Sequence, residues 1–109
     1  MSGGDRLVFF VTAPDRTVAE KVARALVEEK LAACANLVPQ VTSIYWWEGK
    51  VEKAEEVLVV LKTTRERAAA LIKRVEEVHP YDTPEVVGLR ITAGSERYLA
   101  WIDRSVAAE

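Results

Sequence analysis

The sequence predicts an α+β fold with the element order β-α-β-β-α-β-α, in which a long β-hairpin projects from a small body. Three observations carry this reading. Short apolar runs rich in β-branched and aromatic residues are separated by stretches of helical period. The spacings Thr17-Val18-Ala19-Glu20 and Thr63-Thr64-Arg65-Glu66 match capping boxes, which mark helix starts. Two strand-like runs within residues 43–63 meet at Trp47-Glu48-Gly49-Lys50, where Gly49 can take the positive φ of a tight turn.

In chain order, residues 7–12 form a continuous apolar run, as a buried central strand would. Ala13-Pro14-Asp15 breaks it, and the first capping box then starts a helix whose apolar face is Val18, Val22, Ala25 and Leu26. Arg24 and Glu28 lie outside at i,i+4. The hairpin arms follow at about residues 37–47 and 51–62, with Pro39 at a bulge or on an edge. Each arm is about twice the usual strand of ~5–6 residues. At ~3.3 Å per residue an arm reaches about 35–40 Å, whereas a compact globule of this size has a radius of gyration of only ~13 Å. Part of the hairpin must therefore project, carrying Tyr45, Trp46 and Trp47 at its tip. Residues 57–61 are apolar on both faces, so that part of the second arm lies centrally. The second capping box starts a helix with the stripe Ala68, Leu71, Ile72, Val75 and Val78, which Pro80 stops. A fourth strand covers residues 86–92. Ser95 caps a last helix to about Ala107 that buries Tyr98, Leu99, Ile102 and Val106. The first six elements match the split βαβ, or ferredoxin-like, arrangement. The chain ends are expected to fray.

The 109 residues are read as one domain, 1–109, with its ordered core over about residues 7–105. A net charge of −2, from 15 basic and 17 acidic residues, argues against nucleic acid or an anionic membrane as partner. No apolar run approaches the ~20 residues that span a bilayer, and the short run at 7–11 is no signal peptide. The single cysteine suits a reducing cytoplasm. One Asn, one Gln and 29% charged residues suggest a thermophile.

Candidate chemistry gathers around His79, the only histidine, at a helix end before Pro80-Tyr81-Asp82-Thr83-Pro84-Glu85. Two prolines stiffen that loop, and stiff loops hold binding groups in place. Imidazole suits copper, zinc or nickel; equally, a histidine there complements the helix dipole. Cys34 offers a soft thiolate ligand or a small buried side chain. With Asp82 and Glu85 these make a candidate metal set of His79, Cys34, Asp82 and Glu85. Cys34 and His79 alone are too few for a four-ligand zinc site in one chain, so a strong site needs a neighbour's ligands or water. Glu52 and Glu56 share one strand face and Glu55 the other; they can meet hard cations or simply blunt a solvated edge. Lys62, just before a helix start, is either an anion contact or a plain strand-end lysine. Tyr98 and Trp101 lie on a helical stripe and read as core or interface. No P-loop, Gly-x-Gly-x-x-Gly, Cys-x-x-Cys or His-Glu-x-x-His pattern is present. No third group completes a Cys34–His79 dyad, so an enzyme is not expected.

Ala32-Ala33-Cys34-Ala35-Asn36, Ser43-Ile44-Tyr45-Trp46-Trp47-Glu48-Gly49-Lys50, Leu61-Lys62-Thr63, His79-Pro80-Tyr81-Asp82-Thr83-Pro84-Glu85 and Tyr98-Leu99-Ala100-Trp101 together resemble the CutA family of divalent-cation tolerance proteins, in family order. The resemblance implies a homotrimer of ferredoxin-like subunits and a physiological link to metal, usually copper. It implies no catalytic reaction and no obligatory cofactor. Some members carry a cysteine and a histidine, proposed as copper ligands, where this chain has Val11 and Val78; modest metal affinity is therefore expected. The resemblance also implies an intersubunit cleft lined by Lys62, Tyr81, Glu85 and a neighbour's hairpin aromatics such as Trp47. Tyr45, Trp46, Trp47 and Trp101 are the expected trimer contacts. By analogy of fold alone, PII-type signalling trimers place small molecules in such clefts. A small-molecule sensor and a plain interaction scaffold therefore stand beside the metal reading.

Overall fold

The computed structural model of the chain describes residues 4–107, and the expected fraying of the ends lies outside them. The elements are β1 (Arg6–Ala13), α1 (Arg16–Glu28), β2 (Cys34–Trp47), β3 (Lys50–Thr64), α2 (Arg65–Val78), β4 (Val86–Arg90) and α3 (Glu96–Val106). The strands form one antiparallel sheet in the order β2-β3-β1-β4. The central place expected for residues 7–12 and 57–61 is thus found in β1 and β3.

Side chains directly opposite each other in an antiparallel pair share a face. On one face lie Phe9, Val11 and Ala13 with their partners Leu61, Val59 and Val57, all buried. Against them pack Ala19, Val22, Ala23 and Leu26 of α1 and Leu71 and Val75 of α2. β4 comes so close here that a Cβ on Gly88 would lie 2.7 Å from the Phe9 ring. The other face holds Val8, Phe10, Val60, Val87 and Leu89. α3 covers only part of it, tied by Arg6, whose Nε and Nη2 donate to the Asp103 carboxylate at 3.0 and 2.6 Å. Val87 and Leu89 remain 50% and 54% exposed. The apolar run of β1 is therefore buried on one side and half-covered on the other within a single chain.

The hairpin is longer than expected, 14 and 15 residues. Its two-residue turn has φ 50° at Glu48 and 80° at Gly49, the left-handed pair of a type I′ turn. Only the glycine was foreseeable, because glutamate has no special liking for that region. The register shifts between Val38 and Val41, so Pro39 sits in a bulge on the edge strand. β1 pairs with β3 only from Val57 to Thr64, and the arms run on beyond the body. The molecule measures 48 × 25 × 22 Å with a Cα radius of gyration of 14.5 Å, above the ~13 Å of a compact chain.

Five local expectations are corrected. α1 starts at Arg16, not in a box at Thr17: Asp15 Oδ1 accepts from the Val18 N–H at 2.9 Å. Its buried face is Ala19, Val22, Ala23 and Leu26, leaving Val18 and Ala25 at the margin. The second box does not form, since Thr64 caps α2 without a side-chain bond and Thr63 Oγ1 donates instead to the Leu31 carbonyl at 2.7 Å. β4 stops at Arg90, and Tyr98 is exposed rather than buried. Pro80 does end α2, with His79 as its C-cap, and Ser95 Oγ caps α3 by accepting from the Tyr98 N–H.

Candidate functional site

The α2–β4 loop lies against the end of β1 and the root of the hairpin. His79 is buried, 6% exposed. Its Nε2 is 2.7 Å from the Thr12 carbonyl, and its Nδ1 accepts from the Tyr81 N–H at 3.2 Å. A carbonyl can only accept, so Nε2 carries the proton. The His79 and Tyr81 rings lie 4.7 Å apart. Tyr81 Oη donates to Glu56 Oε2 at 3.0 Å. Burial, then this bond and the Glu56 charge, push the Tyr81 phenol up to about 12. Glu85 stands near enough that burial first, and the Glu56 charge second, raise its carboxyl above the ordinary range. Glu56 and Tyr81 thus form a carboxylate–phenol pair, and the Glu56 charge also reaches Glu85.

The sequence groups Glu56 with Glu52 and Glu55 as hard-cation contacts or edge charge, but the structure buries it. Its burial follows from its place directly before the core residue Val57, at the point where the hairpin leaves the body. Glu55, on the opposite face, accepts from Thr42 Oγ1 on the projecting arm. The adjoining apolar run 57–61 was the available signal that Glu56 lies at the body's margin.

The remaining candidates lie elsewhere. Cys34 Sγ is 3.5 Å from Tyr98 Oη on α3, and this contact, ahead of burial, raises the Tyr98 phenol to about 12. Cys34 lies across from Lys62 and Val8 in the sheet, while His79 is bound at Thr12. Four residues along β1 separate them by roughly 13 Å in the strand direction, and β3 also lies between β1 and the strand that carries Cys34. Lys62 Nζ donates to Asn36 Oδ1 at 2.6 Å, six residues along β3 from Glu56, or roughly 20 Å. Trp47 pairs with Lys50 at the hairpin tip, about as far from Glu56 in the other direction. Asp82 is exposed in the loop. Among the described residues no three His, Cys, Asp or Glu side chains converge to hold a metal. One chain therefore brings Tyr81 and Glu85 together, with Glu56. It does not bring His79, Cys34, Asp82 and Glu85 into a ligand set, nor Lys62 and Trp47 to Tyr81.

The exposed apolar side chains at the hairpin tip are Ile44, Tyr45, Trp46, Trp47 and Val51, with Trp46 74% exposed. Trp101 and Tyr98 form an exposed ring pair on α3, centroids 5.4 Å apart.

Comparison with known proteins matches residues 7–105 to the family described as CutA1 divalent ion tolerance protein. The chain is 50% identical over 93 residues to a Protein CutA homolog of Xenopus laevis, covering 85% of this chain and 62% of that protein. It spans 52% of the similar mouse and human proteins. It is 47% identical over 95 residues to the divalent-cation tolerance protein CutA of Thermus thermophilus, covering 87% and 92% of the two chains. The crystal structure of CutA1 from Oryza sativa superposes with a TM-score of 0.94 at 38% identity, covering 100% of both chains.

Proposed function

This chain belongs to the CutA1 divalent ion tolerance family, and from that premise we propose that it serves divalent-cation tolerance, copper foremost, as a non-catalytic cytoplasmic homotrimer. One observation supports assembly above all: apolar surface stands open on the second sheet face and at the hairpin tip, at Val87, Leu89, Ile44, Trp46 and Trp47. Open apolar patches of this kind mark interaction surfaces. A closed ring of three lets each hairpin cover the next subunit's edge. Tyr45, Trp46, Trp47 and Trp101 are the contacts of that ring.

Metal contact is modest and belongs to the junction between subunits. A single chain does not fit a tight copper site: both His79 nitrogens are engaged, and Cys34 is held on another part of the sheet. At a junction, the Glu56–Tyr81–Glu85 group of one subunit meets Lys62 or Trp47 of another. The half-buried Lys62, whose ammonium donates to Asn36 Oδ1, favours a second reading, in which an anionic small molecule is sensed in the same cleft.

Native mass spectrometry of the wild type and of Trp46→Ala/Trp47→Ala, each titrated with Cu(II), tests both halves. The expected wild-type species is three times 12.1 kDa, with weak copper uptake that disappears in the variant. A wild-type monomer at micromolar concentration refutes the assembly. A trimer that takes up no copper leaves the assembly standing and removes the metal cleft.

A further inference from the structure

His79 sits where the backbone most needs a side chain. It is the C-cap of α2, with φ −84° and ψ 140°, already out of the helix. Pro80 has no N–H, so the next donor in the loop is that of Tyr81. Nδ1 takes that donor at 3.2 Å, two residues on, as an Asx side chain does in a turn. On its other side the ring completes the sheet. β4 pairs with β1 only as far as Val11, and one residue further the Thr12 carbonyl receives the Nε2 proton at 2.7 Å. The ring is buried and packs on Tyr81 at 4.7 Å. Tyr81 then reaches Glu56, also buried, at the root of the hairpin.

We propose that His79 is a positioning residue that seats Tyr81 on Glu56 and so clasps the α2–β4 loop between the end of β1 and the root of the hairpin. Its two nitrogens are the two ends of the clasp. A metal could take Nδ1 only by displacing the Tyr81 N–H, or Nε2 only by displacing the Thr12 carbonyl. Either exchange leaves a backbone group without its partner in a poorly solvated place, which is costly. The imidazole therefore orders the loop that presents Tyr81 and Glu85 and is not itself a ligand. The clasp lies within one chain, so it stands or falls independently of the trimer and of its copper uptake.

Because the chain has one histidine, nitrogen-15 labelling of histidine reports this ring alone. The expected spectrum has the proton on Nε2 and a bare Nδ1, and equimolar Zn(II) leaves both resonances in place. The opposite tautomer, or a zinc-induced shift of either ring nitrogen, overturns the proposal. Amide hydrogen exchange supplies the second arm. The Tyr81 amide of the wild type should exchange about tenfold more slowly than in His79→Ala, the factor expected for one hydrogen bond. His79→Asn, whose Oδ1 can replace Nδ1 as acceptor, should restore the protection. Equal exchange in the wild type and the alanine variant, or no recovery with asparagine, overturns it. Should the alanine variant fail to fold, the ring spectrum and the asparagine variant decide.

Discussion

At the residue scale, the two raised phenols show how a few contacts set chemistry. Burial first disfavours an ionised Tyr81, and because its hydroxyl donates to a buried carboxylate, ionisation would also place two negative charges side by side. The folded chain holds that proton to about 12, against 10.0 for the free side chain. A group whose folded pKa is raised contributes stability that is complete below its unfolded value and is lost as the pH rises through the folded one. Stability should therefore hold below pH 10 on this account and fall between 10 and about 12. Tyr98, held by Cys34, adds a similar slope. Urea titrations across this range should show a shallower fall for Tyr81→Phe than for the wild type. Identical slopes would show that Tyr81 does not carry the effect. Glu85 follows the same sign at lower pH: burial first, and the Glu56 charge second, raise its carboxyl, so the stability it contributes in acid is lost as it ionises, and neutral pH works against stability at this one residue.

At the element scale, helix starts depend on which polar side chain reaches the free N–H groups first. Asp15 follows Pro14, has an extended backbone with φ −158° and ψ 175°, and takes the Val18 N–H. Thr17 is already inside the helix and cannot serve as its cap. Asp15→Ala should cost ~1 kcal/mol, the usual value for a lost N-cap, whereas Thr17→Ala should stay within ~0.5 kcal/mol, as surface changes do. Chemical denaturation of both variants checks this; the reverse ranking would return the cap to Thr17. At the second box, Thr63 faces the covered side of the sheet and is fully buried. A buried hydroxyl needs a partner, and Thr63 finds it in the Leu31 carbonyl at 2.7 Å. The tertiary demand wins over the local motif.

At the scale of the whole molecule, shape and surface point the same way. The long axis of 48 Å comes from the hairpin, and its end is apolar. Within the body, ion pairs tie elements distant in sequence: Arg6 to Asp103 between β1 and α3, and Arg74 to Glu29 between α2 and the end of α1. Arg67 Nε also donates to the Val106 carbonyl at the end of α3. Such networks, with one Asn and one Gln in the chain, favour the hot end of the stability curve. Calorimetry should place unfolding above ~90 °C, the threshold of hyperstable domains. A reversible midpoint near ~55 °C, typical of mesophile domains, would show that composition is a poor guide here.

The order of elements, the central strands, the bulge at Pro39, the stop at Pro80 and the overlong hairpin were all legible in the sequence. They rest on period, proline and glycine chemistry, which act over a few neighbouring residues. The candidate loop was legible too, because its prolines and its single histidine stand out. What the loop's groups do was not. Whether His79 has a free nitrogen depends on where the Thr12 carbonyl ends up, 67 positions away. Whether Glu56 is edge charge or the buried partner of Tyr81 depends on a residue 25 positions on. That Cys34 and His79 end up apart follows from the register of β1, β2 and β3. Strand register and side-chain partnership across a sheet are set by packing between distant segments, so only the tertiary structure decides them.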